Sequence, residues 1–255
     1  MSALEIALYF VFGFIASGIN TVAGGGSLIS FPGMTLGMGI DSQVANATNA
    51  VGLFPGSFAG GIGLRKQLGR TGAYFWPLFI PTVVGSIVGA FLLVVSSEKL
   101  FNNLVPFLIL LAACTLLFQP KVKAYLAKRD HATLPMSVGY VLQFFVAIYG
   151  GYFGAGMGIM MLAAFSLYME GTTHELNAVK GFLGGFINLA GSVVFLIKGV
   201  VMVPAAVVFG LGSIVGGLLA AKVSQKFDPD KLRLVIAAYG IAMAAYYFYK
   251  VTLAQ

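Results

Sequence analysis

Residues 85–89 read Gly85-Ser86-Ile87-Val88-Gly89, and residues 212–216 read Gly212-Ser213-Ile214-Val215-Gly216. A proline stands ahead of each run, Pro77 and Pro204, so the match keeps one offset of 127 residues. Asn46-Ala47 likewise recurs as Asn177-Ala178 at an offset of 131, and Gly24-Gly25-Gly26 recurs as Gly156-Met157-Gly158 at 132. One short identity in glycine-rich sequence can arise by chance. Three matches in the same order, with offsets that drift only by loop-sized amounts, indicate a duplicated unit. The longest polar stretch, 119–134, separates the copies and carries Lys121, Lys123, Lys128, Arg129, Asp130 and His131. The expected organisation is a first repeat over 1–119, a cytoplasmic linker over 120–133 and a second repeat over 134–255, together one membrane domain.

Composition sets the solvent for these repeats. Hydrophobic residues make up 59% of the chain and charged residues 9%, against about 25% charged in a soluble domain. Mean hydropathy is +0.94. Ten apolar segments follow in order: about 4–22, 26–40, 43–63, 73–96 and 100–118, then 135–155, 156–170, 176–197, 203–221 and 231–249. The fold class expected is an all-α polytopic membrane protein of two inverted repeats, each with five segments, the second short and broken. Pro32, Gly33, Gly37 and Gly39 interrupt segment 26–40, and Gly156 and Gly158 open segment 156–170. Short, interrupted segments at matching positions point to a transporter binding site, and packing elements that re-enter without a ligand are the alternative. The first apolar run has no basic stretch before it, so it reads as a retained span rather than a cleaved signal.

Orientation rests on the basic residues. The formal net charge is +7. No basic run is interleaved with aromatics, so nucleic acid is not an expected partner. If every segment crosses, the loop with Arg65, Lys66 and Arg70, the linker, and region 222–233 lie on one side. That side holds eleven of the fifteen basic residues, while Lys99, Lys198 and Lys250 lie on the other. The positive-inside rule then puts both termini outside and makes the two five-segment halves inverted. Re-entrant short segments would strand region 222–233 on the wrong side. In a bacterium the expected location is the cytoplasmic (inner) membrane.

The third segment of each half carries a polar stripe. Asn46 and Asn49 share a helix face, and Asn177 and Lys180 repeat their spacing. Ser57 matches Asn188, with Gly184 and Ser192 continuing the second stripe. Polar groups at membrane depth line a cavity or bond a neighbouring helix. Ser192 reads as such a bond, and Asn49 and Lys180 as site residues. Lys180, near its segment start, has a second reading in which it snorkels to the surface. The runs Gly24, Gly25, Gly26, Ser27 and Gly154, Gly156, Gly158 suit two helix starts whose free N–H groups attract an anion. Candidate substrate-binding residues are therefore Gly24, Gly25, Gly26, Ser27, Asn46, Asn49, Gly156, Gly158, Asn177 and Lys180.

Other chemistries lack support. Cys114 is the single cysteine, and His131 and His174 form no ligand pair, so neither disulfide nor metal site is expected. No acidic residue sits at the centre of a segment. Neither H-E-x-x-H nor G-x-S-x-G occurs, so an enzyme is not expected, and no cofactor or nucleotide loop is visible.

The run Ala23-Gly24-Gly25-Gly26-Ser27-Leu28, then Phe31-Pro32, then Ala45-Asn46-Ala47-Thr48-Asn49, resembles the sulfite exporter TauE/SafE family of membrane permeases. Gly154-Ala155-Gly156-Met157-Gly158 and Asn177-Ala178 echo it in the second half, where Ala164 stands near the place of an echoed proline and Val179-Lys180 replaces a Thr-Asn/Ser pair. The resemblance implies secondary transport of sulfite, sulfonates or related organosulfur anions by alternating access. A passive anion channel and a carrier of a different small anion are the alternatives. The partners expected are a small anion and membrane lipid. A coupling ion and a homo-oligomer both remain open.

Overall fold

The computed structural model describes residues 1–127, 134–224 and 229–253, and these residues contain helices and no strand. The helices are α1 (Ala3–Val22), α2 (Ser27–Pro32), α3 (Ser42–Gly63), α4 (Phe75–Val95), α5 (Glu98–Ala127), α6 (Met136–Tyr152), α7 (Met157–Tyr168), α8 (Thr173–Ile197), α9 (Val203–Val223) and α10 (Pro229–Leu253). All ten expected segments are helical. Six of the helices, α1, α4, α5, α8, α9 and α10, are long and apolar enough to cross a bilayer. The chain is an all-α polytopic membrane protein.

Local signals set the helix starts. Ser2 and Glu5 form a capping box on α1, Thr172 and Glu175 form one on α8, and Asp41 accepts from the N–H groups of Gln43 and Val44 ahead of α3. One boundary differs from expectation. Helix α5 continues to Ala127, so Lys121 and Lys123 lie on a helix rather than in a linker. Hydropathy marks where a helix leaves hydrocarbon, not where its hydrogen bonds stop. Lys128, Arg129, Asp130, His131 and Lys226 lie outside the described residues.

The halves embrace each other. Helix α1 packs along α9, and α4 packs along α6, so each half lays its first helix on the fourth helix of the other. Helix α3 packs on α8, and α5 on α10. The repeated five-residue run builds both seams. A Cβ on Gly212 or Gly216 would overlap the carbonyls of Phe10 or Phe14 on α1, and one on Gly85 or Gly89 would overlap those of Phe144 or Ile148 on α6. Small residues let helix backbones touch in this way. The serine of each run fixes the third helix of one half. Ser86 donates to the Ile187 carbonyl of α8 at 2.6 Å, and Ser213 to the Gly52 carbonyl of α3 at 2.7 Å. Ile87, Val88 and Val215 of the same runs point outward and are exposed, as lipid-facing side chains should be.

The second segment of each half folds back on the helix before it. After α1, Gly24 and Gly25 take left-handed φ values of 82° and 86°, and after α6, Gly154 and Gly156 take 76° and 79°. Only glycine adopts this region freely, so the chain can reverse inside the protein without strain. Helix α2 then runs antiparallel to α1, with Gly33 against the Phe12 ring, and passes into a wide π turn over Gly33–Gly37. Helix α7 returns along α6, and the Leu134 N–H donates to the Leu167 carbonyl at the base of that hairpin. The tips of the hairpins meet. A Cβ on Gly24 would press on Gly158 and Ile159.

Candidate functional site

Breaking a helix leaves carbonyls without partners, and inside a membrane protein no bulk water reaches them. The two halves solve this reciprocally. The Asn177 amide of α8 donates to the Thr21 carbonyl at the end of α1 at 2.7 Å, and the Asn46 amide of α3 donates to the Tyr152 carbonyl at the end of α6 at 3.0 Å. Both donors and both acceptors are related by the same offset of 131. Each repeat therefore caps the broken hairpin of the other.

The next turn of these helices is where the halves part. Asn49 is buried and fully engaged, donating to Ser27 at 3.1 Å and accepting from Ser30 at 2.6 Å, both on α2. At the offset of 131 that relates the two caps, one residue away from the glycine-run match, Ser27, Ser30 and Asn49 fall on Gly158, Met161 and Lys180. Neither hydroxyl exists there. The Lys180 stem instead runs past Gly158, where a Cβ would come within 3.3 Å of its Cδ. Its ammonium donates to the Asn20 carbonyl at the end of α1 at 2.6 Å. Asn20 is itself anchored, its side-chain oxygen accepting the Gly26 N–H at 2.7 Å. With 5% of its surface exposed, Lys180 does not snorkel to the surface.

Lys180 faces a cavity of about 40 Å³, bordered by Asn20, Thr21, Ser57, Gly158 and Asn177. A water needs roughly 10–15 Å³ on this measure, so the space fits about three waters or one small anion. Two of the residues that border it have bonding capacity to spare. Lys180 has three N–H bonds and uses one on Asn20. The Asn177 side-chain oxygen is buried and has no partner. Among the described residues no carboxylate lines the cavity. Gly154 also borders it, and the following chain of contacts leads away. Phe153 meets Phe31 edge-on at 5.2 Å, Phe31 stacks on Tyr247 at 6.1 Å, and Tyr247 is hydrogen-bonded to Thr35. Tyr247 borders a second, open pocket of about 820 Å³ with Glu98, Lys99, Asn102, Asn103 and Lys250. Phe153, Phe31 and Tyr247 thus form an aromatic cluster that borders the wide pocket through Tyr247.

Of the residues expected at the site, Gly158, Asn177 and Lys180 line the cavity, and Gly24 abuts Gly158 at the tip contact. The others lie nearby in packing or bonding roles. Gly25 faces Ile159, Gly26 lies on the Ala16 backbone, and Gly156 sits over Ala112. Ser27 and Asn49 belong to the serine cluster, and Asn46 is a cap. The Gly26 N–H is taken by the Asn20 side chain and the Gly24 N–H by the Ile19 carbonyl, so two donors of the first glycine run are spent within the protein. Asn20 and Thr21 are additional cavity residues. The only sequence signal for them is their place just before the glycine run, on the last turn of an apolar segment. Asn49→Ala is expected to strip both partners from two buried serines and destabilise the protein by about 1–3 kcal/mol. Thermal melting of the detergent-solubilised protein measures this, and unchanged melting would show that the cluster is not a structural bond.

Broken helices that meet around a buried polar cavity are the hallmark of membrane transporters. The description "Sulfite exporter TauE/SafE" matches residues 9–247, and the chain belongs to that family. A relative from Haemophilus influenzae, described as a probable membrane transporter protein, is 27% identical over 94% of this chain and 93% of its own length. ORF9 of a Sinorhizobium species, similarly described, is 26% identical over 94% of this chain and 90% of its own. YfcA of Escherichia coli K12, again described as a probable membrane transporter protein, is 23% identical over 98% and 91%. No solved structure matches the chain.

Proposed function

We propose that this membrane transporter is a secondary carrier of a small anion, moved by alternating access between two inverted halves. One observation carries the choice of an anion: Lys180 is buried in a cavity that no described carboxylate lines. A cation taken out of water loses several kcal/mol of hydration unless an opposite charge is brought to it. The guest is the group that brings it. Two free ammonium donors and the small volume favour a compact oxyanion, and the family description supports sulfite, sulfonates or related organosulfur anions as the class. The small cavity shares no lining residue with the wide pocket, which favours a carrier over an open pore. The distribution of basic residues supports termini outside and residence in a bacterial cytoplasmic membrane.

A thermal-shift screen on purified protein tests the substrate class, using sulfite, sulfate, sulfoacetate, taurine and carboxylates. Stabilisation by the sulfur oxyanions, followed by saturable flux in liposomes, is the expected result. Stabilisation by carboxylates alone would move the class. In a Cys114→Ser background, single cysteines placed at Ser2 or Gln255 should label from outside intact cells. Labelling from the cytoplasmic side alone would overturn the inverted five-plus-five arrangement.

A further inference from the structure

We propose that Lys180 carries a proton together with the anion, so that each turnover moves one anion and one proton in the same direction. The inference rests on the anion reading above and adds its coupling ion. Its basis is the isolation of Lys180. The elements packed on α8 are α1, α3, α4, α6, α7 and the turns Arg65–Gln67 and Gly69–Tyr74. Helices α3 and α4 carry no titratable side chain. Helix α1 has Glu5 and Tyr9 in its first two turns, while Lys180 meets its last turn, at Asn20. Helix α6 has Tyr140, Tyr149 and Tyr152, and α7 has Tyr168. The turns carry Arg65, Lys66, Arg70 and Tyr74, and α8 itself begins with His174 and Glu175. None of these groups borders the cavity. Glu175 is engaged in the cap of α8.

Among the described residues, the one titratable group in the cavity is therefore an amine whose only bonded partner is the neutral carbonyl of Asn20. An anion placed beside it attracts a proton onto it, and a proton on it attracts the anion. Linkage makes this help mutual and equal. The balanced step is Lys–NH2 plus a proton plus the anion giving Lys–NH3⁺ paired with the anion, and release reverses it. The site is neutral both empty and filled, so neither form places a lone charge in the protein. The duplication limits the count to one. At the echoed position the first half holds Asn49, which has no proton to exchange and is tied to Ser27 and Ser30.

The test uses anions that stay ionised, so that any proton taken up belongs to the protein: methanesulfonate, isethionate, sulfate and thiosulfate. Calorimetry is run on the full chain in buffers of different ionisation enthalpy, from about pH 6 to about pH 9. The expected result is binding with proton uptake that rises with pH towards about one proton per anion. In liposomes, inward anion flux should acidify the lumen. Lys180→Arg keeps a permanent charge, so it should bind with no proton uptake and carry anions without acidification. Binding without uptake by wild type at every pH overturns the proton inference and leaves the anion reading standing. Uptake by Lys180→Arg equal to wild type overturns the assignment to Lys180. Should the arginine variant fail to fold, lumen acidification by wild type still decides for or against coupling. Binding of none of the four anions overturns both readings.

Discussion

Lys180→Met is expected to abolish anion binding while the protein folds about as well as wild type. Methionine keeps much of the stem that passes Gly158 and removes the ammonium. Removing one partner of a buried, hydrogen-bonded charge pair typically removes about 3 kcal/mol of affinity, roughly a hundredfold. The stability terms oppose each other. The variant leaves the Asn20 carbonyl without its donor, about 1 kcal/mol of lost bond. It also relieves the burial of a polar amine that has one neutral partner in the empty site, a cost of about the same size. Melting temperature should therefore hold as binding disappears. This pairing separates a site residue from a structural one, since Asn49→Ala should lower melting and keep affinity. Methanesulfonate and sulfite titrations on both variants check it. Retained affinity in Lys180→Met, with intact melting, would remove Lys180 from the site.

The contrast between Lys180 and Asn49 also shows how far sequence reading reaches. Apolar runs located every helix, and the repeated five-residue run marked two helix seams, because hydrocarbon thickness and close helix contact leave direct marks on residue choice. The polar positions were harder to interpret. Asn46 and Asn49 look alike in sequence, three residues apart on one face. One caps a carbonyl 106 residues away, and the other bonds two serines of its own half. Nothing local distinguishes them, since the partners are set by how the halves pack. Lys180 had two physical outcomes, surface or cavity, and the glycine at 158 decided between them by leaving room for the stem. Asn20 was silent for a related reason. Its role depends on a hairpin tip folding back over it and on a lysine arriving from the other half.

Gly89→Val and Gly216→Val should each be among the most damaging single substitutions in the chain, and they should be damaging to a similar degree. At Gly216 a new Cβ would overlap the Phe14 carbonyl, and at Gly89 the Ile148 carbonyl. Both obstacles are helix backbone, which cannot swing aside as a side chain can. The helices would have to separate, forfeiting contacts along the whole seam. Overpacking of this kind costs about 3 kcal/mol or more, which lowers melting by roughly 6–12 °C in a chain of this size. The equality is the sharper part of the prediction. If the repeated run serves one purpose in two places, the seams α1–α9 and α4–α6 should fail alike. Substitution of the exposed neighbour, Val88→Leu, should leave melting unchanged, because that side chain faces outward. Melting temperature and the monodisperse fraction on size exclusion provide the measurement. Tolerance of Gly89→Val beside collapse of Gly216→Val would show that the halves hold each other unequally, with α1 clamped and α6 free to shift. The second hairpin, which carries Gly158 to Lys180, would then be the element that moves when the guest changes sides.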